Sequence, residues 1–287
     1  MNDTKNIYIV GAGISGLIAA IELEKAGYTP TILEKSDSVG GRVKTVKYQG
    51  LRLDIGFQVM LSAYPKVQEY LDLEPLELNY LKSGAQIYAG GKVYRIGDPL
   101  RDLSMLWPTL TAGIGSVADK LKILRLNTFL KKKSIDEIFA TPEKSTLVYL
   151  QDFGFSEKII SNFFRPFFAG IFLEPDLTTS SRMFEFVFKM FGEGFATIPK
   201  NGIGAISDQL ASKLSRTTFR FNTEVEQIEP NEITLANGEK IAHSGVIVSS
   251  DASALVRNLR GQDVQWKAHI PYENLDGEKV SLKSSNG

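Results

Sequence analysis

The first regular pattern in the chain is a short, unbroken apolar run at Ile7–Val10 with β-branched side chains. Such a run predicts a buried parallel strand, because both faces of a parallel sheet are usually covered. Residues 15–26 then place their apolar positions on one helical face, and Gly27 marks the end of that helix. A second short run, Thr31–Leu33, predicts another strand, so the chain opens as strand, helix and strand.

A β-rich pattern returns between residues 217 and 262. Residues 218–222 are strand-like, apolar positions alternate from Val225 to Leu235, and Asn237-Gly238 is a strong hairpin signal. Residues 245–249 predict another buried strand, and residues 253–259 a short helix. We therefore expect a β-meander and a further parallel strand that rejoin the N-terminal unit.

The segment between these two units is predicted to be largely helical and is rich in phenylalanine. Twelve of the 17 phenylalanines lie between Phe153 and Phe195. Helices are expected after Thr141-Pro142, from Ser156 with an interruption at Pro166, and from Ser181 to Gly192. An aromatic stripe on a helix favours a packed core, and phenylalanines on more than one helix face leave a large apolar ligand cavity as the alternative.

Two charged features of this segment each have two possible roles. Arg165 is a candidate anchor for the polar end of a substrate, or a structural partner of Glu174 or Asp176. Residues 103–133 form an apolar stretch followed by a basic amphipathic helix, with Leu121, Leu124 and Leu130 expected on one side. A solvated face of the inserted domain is the favoured interpretation, and peripheral contact with an anionic membrane is the alternative.

Composition excludes several classes of function. The formal net charge is zero, which gives no electrostatic basis for nucleic-acid binding. The chain has no cysteine and only two histidines, so disulfides, thiolate catalysis and a histidine-based metal site are not expected. The absence of cysteine fits a reducing compartment, and no segment is long and apolar enough to span a bilayer, so a cytoplasmic location is expected.

The turn after the first strand carries the strongest chemical signal. Gly11, Gly13 and Gly16 form G-x-G-x-x-G between a strand and a helix, and Glu34 follows 18 residues after the last glycine. The glycines permit a tight turn, close approach of a pyrophosphate and close helix packing, while the acid can accept hydrogen bonds from a ribose. A glycine-rich turn without a ligand is the alternative. The candidate cofactor-binding residues here are Gly11, Ala12, Gly13, Ile14, Ser15, Gly16, Glu34 and Lys35.

The residues after Glu34 make the resemblance specific. Gly40-Gly41-Arg42 followed by Asp54-x-Gly56 resembles the flavin-containing amine oxidase superfamily, which includes protoporphyrinogen oxidase and the phytoene-desaturase-like enzymes. The resemblance implies that Gly40, Gly41 and Arg42 lie along the pyrophosphate and ribose of FAD, and that Gly56 and Phe57 lead toward the flavin ring. Phe57 stands where the family often has a glycine.

The resemblance extends to the C-terminal β-rich segment. It implies that the Val225 backbone contacts adenine, and that the loop at residues 199–204 re-enters the cofactor domain near the flavin, with Asn201 where a glycine is usual. An ordinary helix entry is the alternative for this loop. No side chain emerges from the sequence as catalytic, and the mechanism implied does not require an acid–base pair.

The implied fold class is α/β: a Rossmann-like FAD/NAD(P)-binding domain with a parallel sheet and a β-meander, plus an inserted, largely helical substrate domain. We expect the FAD-binding domain at residues 1–75 and 198–287, and the substrate domain at residues 76–197. The implied function is hydride transfer from a bulky apolar or aromatic small molecule to non-covalent FAD. An NAD-binding dehydrogenase, or a flavoprotein scaffold that binds an apolar ligand without turnover, remain the alternatives.

The sequence after Leu259 lacks a segment that the family would place there. The resemblance implies a C-terminal strand-to-helix turn facing the pyrophosphate and flavin, and residues 260–287 contain no such pattern. The expectation is therefore that the FAD-binding domain is incomplete at its C-terminus and that the chain alone binds FAD weakly, exposes apolar surface and shows little turnover.

Overall fold

The computed structural model describes residues 6–56, 59–99, 101–250, 272–273 and 279–280. Its strands, in chain order, are β1 (Ile7–Val10), β2 (Thr31–Leu33), β3 (Val43–Tyr48), β4 (Leu51–Gly56), β5 (Met60–Leu61), β6 (Asn79–Tyr80), β7 (Gly84–Ala89), β8 (Lys92–Gly97), β9 (Ala196–Ile198), β10 (Thr218–Arg220), β11 (Val225–Ile228), β12 (Glu232–Leu235), β13 (Lys240–Ala242), β14 (Gly245–Val248), β15 (Tyr272–Glu273) and β16 (Lys279–Val280). The helices are α1 (Ile14–Lys25), α2 (Pro65–Tyr70), α3 (Leu106–Thr111), α4 (Val117–Lys132), α5 (Ile135–Ala140), α6 (Thr146–Asp152), α7 (Glu157–Ile159), α8 (Arg165–Phe172), α9 (Ser181–Glu193) and α10 (Ala205–Ser212), with a 3-10 turn at Leu103–Met105 and a π-helical turn at Ile160–Phe164.

A parallel sheet with the strand order β10-β2-β1-β14 forms the base of the fold. Tyr8 on β1 pairs with Thr31 on β2 and with Val246 on β14, all in parallel register. The predicted strands at residues 7–10, 31–33, 218–222 and 245–249 are all present within two residues of their expected ends. The predicted helix at residues 253–259 lies outside the described residues.

The two faces of this sheet are covered by different layers. On one face, α1 and α10 pack on the sheet through Ile9, Leu17 and Leu210 in one apolar cluster. On the other, the meander β11-β12-β13 packs through Val225 and Ile233, in a cluster that also contains Val10 and Leu33. Gly238 has φ 86° in the turn that joins β12 to β13, which explains the hairpin signal. The α/β fold class, with its parallel sheet and meander, is therefore confirmed.

A second apolar core is formed by the helices between residues 112 and 191. Phe164, Phe168 and Phe184 are fully buried in it. Phe168 and Phe184 lie 4.7 Å apart between ring centroids, a separation typical of aromatic pairs in cores. The high density of phenylalanine in this segment therefore mainly reflects the packing of a core, which is the interpretation that the sequence favoured.

Serine caps fix where these helices begin. The side chains of Ser116, Ser134, Ser145 and Ser156 each accept a hydrogen bond from a first-turn amide. Because Ser145 is the cap, the helix expected after Thr141-Pro142 begins only at Thr146, so that predicted start was wrong by several residues. A residue type that favours the N-cap position gives only a weak prediction of where a helix begins when two such residues lie close together in the sequence.

The interruption expected at Pro166 takes the form of a π-helical turn. Residues 160–164 adopt this wider helix and α8 follows directly, with the proline at its start, where no backbone donor is needed. Arg165 donates to the carbonyl of Pro175 at 3.0 Å, whereas the Glu174 carboxylate accepts from the Thr179 hydroxyl and amide. Neither expected ion pair of Arg165 is thus present among the described residues.

Helix α4 presents its apolar residues differently from the sequence expectation. Leu126 and Leu130 are fully buried, whereas Leu121 is 58% exposed and Leu124 is 39% exposed. The expected grouping of Leu130 with Leu121 on one side was wrong, because nine residues place the two on opposite sides of a helix. Across the residues that the structure describes, no helix combines the length and hydropathy needed to cross a membrane, and no cluster of side chains could hold a metal ion.

Candidate functional site

The glycine turn at the end of β1 is closed by contacts that require the absence of side chains. Gly11 has φ 102°, a left-handed conformation that favours glycine, and its amide donates to the Leu33 carbonyl at 2.8 Å. A Cβ added to Gly16 would lie 2.0 Å from the Gly11 carbonyl oxygen and 2.7 Å from Ser249 Oγ. Gly16 therefore allows α1 to rest directly on the turn.

Gly13 has the opposite surroundings. A Cβ added there would meet no protein atom within 4 Å, and the backbone has φ −73° and ψ 177°, which any residue can adopt. The open space above Gly13 is bounded by Gly41, whose added Cβ would lie 3.3 Å from the Gly13 Cα. The Gly40 amide donates to the Ala12 carbonyl at 2.9 Å and joins the two segments. Together they form a slot walled by glycine backbone, which we call the glycine slot (Gly11–Gly16 with Gly40-Gly41).

The first turn of α1 opens onto this slot. Gly13 is its N-cap residue, and in the described part of the chain no side chain caps this terminus. Ser15 is exposed, Ile14 is partly buried, and Ala12 is fully buried. Uncapped N-terminal amides and the helix dipole favour an anion such as a phosphate at this position.

Glu34 lies at the end of β2, beside the same turn, and is only 8% exposed. Its Oε2 accepts from the Ala12 amide at 2.7 Å, and its Oε1 accepts from the Ser36 amide and hydroxyl at 2.8 Å each. A carboxylate offers about four acceptor positions, so Oε2 retains acceptor capacity for a further hydroxyl. Glu34 thus fixes the turn and can still accept a hydrogen bond from a sugar.

Two cationic candidates border the slot and differ from Glu34 in being exposed. Arg42 follows the glycine pair and has no hydrogen bond or ion pair to another described residue. Lys35 is exposed next to Glu34. A guanidinium without a protein partner beside an anion-favouring helix terminus is available for a phosphate oxygen.

Asp54 positions a loop. Its Oδ1 accepts from the Thr45 hydroxyl at 2.5 Å and from the Ile203 amide at 3.0 Å, and Thr45 Oγ1 accepts from the Gly204 amide at 2.8 Å. A Cβ on Gly202 would lie 2.4 Å from that hydroxyl. The loop at residues 199–204 is therefore docked tightly on the hairpin β3–β4, beside the glycine slot.

Asn201 and Gly56 complete this contact. The Asn201 side chain accepts from Arg52 at 2.9 Å, so the residue that replaces the usual glycine has a structural role. Gly56 has φ 82°, and a Cβ there would lie 2.5 Å from the Arg42 carbonyl oxygen. Gly56 thus lies directly against the backbone that follows the glycine pair. Phe57 lies outside the described residues.

Val225 lies beside the ends of β1 and β2, on the face of the sheet opposite to α1. Its side chain is buried against Val10 and Leu33, the last residues of those strands. The Thr223 amide donates to the Glu34 carbonyl at 2.9 Å, which ties this segment to the Glu34 region. The structure therefore brings Val225, Glu34 and the glycine slot to one edge of the sheet.

An apolar groove of about 370 Å³ begins at the first turn of α1. It runs between the two apolar cores, and Tyr64 and Phe186 stack along it with ring centroids 5.6 Å apart and planes at 16°. Burial raises the pKa of Tyr64. The residues that line the groove include Ile14, Val43, Met60, Tyr64, Phe186, Ile203 and Ile206. Such a groove suits an apolar ligand.

A second cavity of about 490 Å³ lies by the end of α9, beside Arg101. The guanidinium already donates to the carbonyls of Phe191, Gly192 and Gly194 at 2.6–3.2 Å, and its charge faces the Phe195 ring. These contacts bind the last carbonyls of α9, so the Arg101 guanidinium has a structural role. This cavity is therefore the weaker candidate for a ligand site.

Sequence reasoning missed three residues that hold the site together. Ser249 Oγ donates to the carbonyls of Val10 and Gly11 at 2.8 and 3.0 Å. Ser36 and Thr45 bind Glu34 and the 199–204 loop, as described above. A usable signal existed for Ser249 alone, because it follows a parallel strand and such strand ends meet at one edge. The expectation that this strand is buried was wrong for its second half, since Ile247 and Val248 are 36% and 45% exposed at the edge of the described sheet.

The arrangement fits a dinucleotide. The slot offers space and uncapped amides for a pyrophosphate, Arg42 offers a cation, and Glu34 offers an acceptor for a ribose hydroxyl. The apolar groove starts at the same helix terminus. The residues present could therefore hold a long ligand with a charged centre and an apolar or planar end.

Comparison with known proteins agrees with this geometry. The family model of flavin containing amine oxidoreductases matches residues 14–280. Protoporphyrinogen oxidase 2, chloroplastic/mitochondrial, of Arabidopsis thaliana is 30% identical over 282 residues, which covers 91% of this chain and 52% of that protein. The 4,4'-diapolycopene oxygenase of Methylomonas sp is 29% identical over 99 residues, covering 30% of this chain and 20% of that protein.

Solved structures share the fold. An oxidoreductase from Methanosarcina mazei superposes with a TM-score of 0.64 at 22% identity and covers 88% of this chain and 60% of that one. The chain thus spans about half the length of its Arabidopsis relative and three fifths of this solved structure.

Proposed function

The chain belongs to the flavin containing amine oxidoreductase family, and from this premise we propose that it forms the cofactor and substrate regions of an FAD-dependent oxidoreductase acting on a bulky apolar molecule. FAD is the cofactor that the family implies. The proposed division is an FAD-binding domain at residues 1–75 and 198–287, and a substrate domain at residues 76–197.

Each candidate residue has a proposed role toward FAD. The pyrophosphate lies in the glycine slot over Gly13, near the first-turn amides of α1 and the Arg42 guanidinium. A ribose hydroxyl donates to Glu34 Oε2, and the Val225 backbone borders adenine. Gly56 and Phe57 lead toward the ring, and Lys35 lies at the exposed margin.

The observation that carries this proposal is the contrast between Gly13 and Gly16. Gly16 is filled by protein contacts, whereas the space above Gly13 is open and yet enclosed by Gly41. The second glycine pair lies against this open side, with an added Cβ on Gly41 only 3.3 Å from the Gly13 Cα. A ligand that approaches the backbone explains both features.

The apolar groove supports a substrate with little polarity. Its walls come from α1, β3, α2, α9 and α10, and the stacked rings of Tyr64 and Phe186 offer planar surface. Two of the relatives are named for protoporphyrinogen and diapolycopene. We propose a tetrapyrrole or a polyene as the substrate class for this groove.

The bound flavin supplies hydride acceptance, and this chain supplies orientation and exclusion of water. Glu34, Arg42 and the α1 amides hold the ribose and pyrophosphate ends in place. Ile14, Val43 and Ile203 give the groove an apolar wall near the slot, so that a C–H bond is presented in a dry environment. The docked 199–204 loop keeps Ile203 in that wall through Asp54.

Anaerobic mixing of the FAD-loaded protein with candidate substrates tests this function. Bleaching of the flavin absorbance by a porphyrinogen or a polyene, and not by small amines, is the expected result. Bleaching by amines alone would contradict the apolar substrate class. Binding of a polyene without bleaching, seen as a shift in the polyene spectrum, would indicate a scaffold and contradict turnover.

A further inference from the structure

The polar side chains of the apolar groove differ in whether another residue already binds them. Among the residues that the structure describes, those that line the groove and carry a polar side-chain atom are Tyr64, Lys66 and Tyr70. The Tyr70 hydroxyl donates to Glu22 Oε1 at 2.9 Å, and Lys66 Nζ lies 2.6 Å from Glu69 Oε2. Two of these polar groups are therefore engaged in contacts with the protein itself.

The hydroxyl of Tyr64 makes no hydrogen bond to any residue that the structure describes. Its ring is partly buried, and burial raises the pKa of Tyr64, so the hydroxyl stays protonated and able to donate at neutral pH. A tyrosine hydroxyl that is removed from water usually has a hydrogen-bond partner. A ligand in the groove therefore meets one donor that no described protein group occupies.

The Tyr64 ring is held firmly in its place. Tyr64 is the N-cap residue of α2, and its amide donates to the Leu61 carbonyl at 3.1 Å. The ring stacks on Phe186 of α9, which in turn lies 5.8 Å from the Phe139 ring. A ring that is fixed by its backbone and by stacking holds its hydroxyl in one direction, as recognition of a single ligand atom requires.

The helices along the groove offer apolar surface on either side. Ile14 and Ile18 of α1 are four residues apart, as are Ile206 and Leu210 of α10, so each helix presents an apolar ridge to the groove. In a mainly apolar pocket, the few polar groups fix the orientation of the ligand. A ligand that matches this groove has a long apolar body and an oxygen atom that can reach Tyr64.

We propose that Tyr64 is a specificity-determining residue that donates a hydrogen bond to an oxygen atom of an otherwise apolar substrate. This inference rests on the proposed function, because it assigns the substrate to the apolar groove. The substrate oxygen lies where α2 meets α9, and the apolar body extends along α1 and α10. The substrate class thereby narrows to apolar molecules that carry an oxygen acceptor.

Two ligands that differ in one oxygen atom test this assignment. All-trans-retinol and all-trans-axerophtene have the same polyene, and axerophtene has a hydrogen atom in place of the hydroxyl group. Their Kd values are measured by equilibrium dialysis against the 287-residue chain under nitrogen, with FAD and without it. The variant is Tyr64→Phe, which keeps the ring and its stack on Phe186 and removes only the hydroxyl.

The expected effect is confined to the oxygenated ligand. Tyr64→Phe should raise the Kd for retinol about tenfold, because the hydroxyl of retinol then lies in the groove without its donor. The Kd for axerophtene should stay within about twofold or fall, since no polar group is left unpaired. The ratio of the two Kd values cancels their different partition from water, and its change isolates the hydrogen bond.

Two further variants serve as controls. Tyr70→Phe removes a hydroxyl from the same groove, but this hydroxyl already donates to Glu22, so the Kd ratio should not change. Phe186→Leu removes the stacked ring and should weaken both ligands to the same extent. Unfolding midpoints of all variants establish that each one is folded.

The outcomes separate this inference from the proposed function. An unchanged Kd ratio in Tyr64→Phe would overturn the role of Tyr64 and leave the groove as the ligand site. A ratio that changes with Lys66→Met and not with Tyr64→Phe would assign the oxygen to the lysine and also overturn it. If the parent chain bound neither ligand, the groove would not be a ligand site, and the proposed substrate class would be wrong as well.

Discussion

Replacing Gly13 and Gly16 separately by alanine should produce opposite phenotypes, although the two residues are three positions apart in one turn. A methyl at Gly13 enters open space, so the free energy of unfolding of the FAD-free protein should change by less than about 1 kcal/mol. In the proposed binding mode, the same methyl occupies the place of a phosphate oxygen. Loss of one charge-assisted hydrogen bond, roughly 1.5–3 kcal/mol, should raise the Kd for FAD about 10- to 150-fold.

Gly16→Ala should instead damage the fold. Its methyl would lie 2.0 Å from the Gly11 carbonyl oxygen, a backbone atom that cannot rotate away. Overpacking commonly costs about 1–3 kcal/mol, and a backbone clash belongs at or above the upper end of that range. The expected result is a large loss of stability without FAD.

Gly245→Ala is the matched control for Gly13→Ala. Gly245 likewise has no atom within 4 Å of an added Cβ, but it lies on β14 and pairs with Ile7, at the other end of β1 from the turn. Urea unfolding and FAD titration of all three variants are the assays. If Gly13→Ala bound FAD as tightly as Gly245→Ala, the phosphate could not lie over Gly13 and the site would be misplaced.

Further predictions concern carboxylates and the docked loop. Glu34→Ala should raise the Kd for FAD at least about tenfold, and more than Arg165→Ala, and equal values for the two would refute the ribose role. Glu24→Ala should lose stability without a change in Kd, because Glu24 accepts from Arg216 and Thr217 at the far end of α1. Burial raises the pKa of Glu24, but those donors outweigh it and lower that pKa from 4.5 to about 2, so its contribution is complete above pH 4.5 and disappears toward pH 2. In pH-dependent unfolding, Glu24→Gln should therefore flatten the stability profile between those pH values, and an unchanged slope would contradict this. Thr45→Val should destabilise the chain by about 1–3 kcal/mol, measured by urea unfolding, because the Gly204 amide loses its acceptor.

The parts of the fold that follow from local physics could be predicted from the sequence. The strand, turn and helix at residues 7–25 depend on an apolar run and on glycines whose roles are local. The hairpin at Gly238 likewise depends on a positive φ that few residues adopt. Such elements need no knowledge of distant contacts.

The features that could not be predicted from the sequence depend on contacts between residues that lie far apart along the chain. Asp54 is separated from Ile203 by 149 residues, so its hydrogen bond to that loop has no local signal. The exposed position of Leu121 depends on which face of α4 meets α9, and periodicity alone allows either face. Ser145 caps α6 because Thr141 already ends the preceding helix, where its amide donates to the Ile138 carbonyl, and a propensity scale does not contain that helix boundary.

The central claim is that the glycine slot and Glu34 bind FAD. The most direct measurement is a calorimetric titration of the 287-residue chain with FAD and with FMN under identical conditions. FMN lacks the pyrophosphate and the ribose of the adenosine half, so the account predicts binding of FAD, with FMN at least about tenfold weaker and the difference reduced by Glu34→Ala. Equal affinity for FAD and FMN, or no binding of FAD at all, would contradict it.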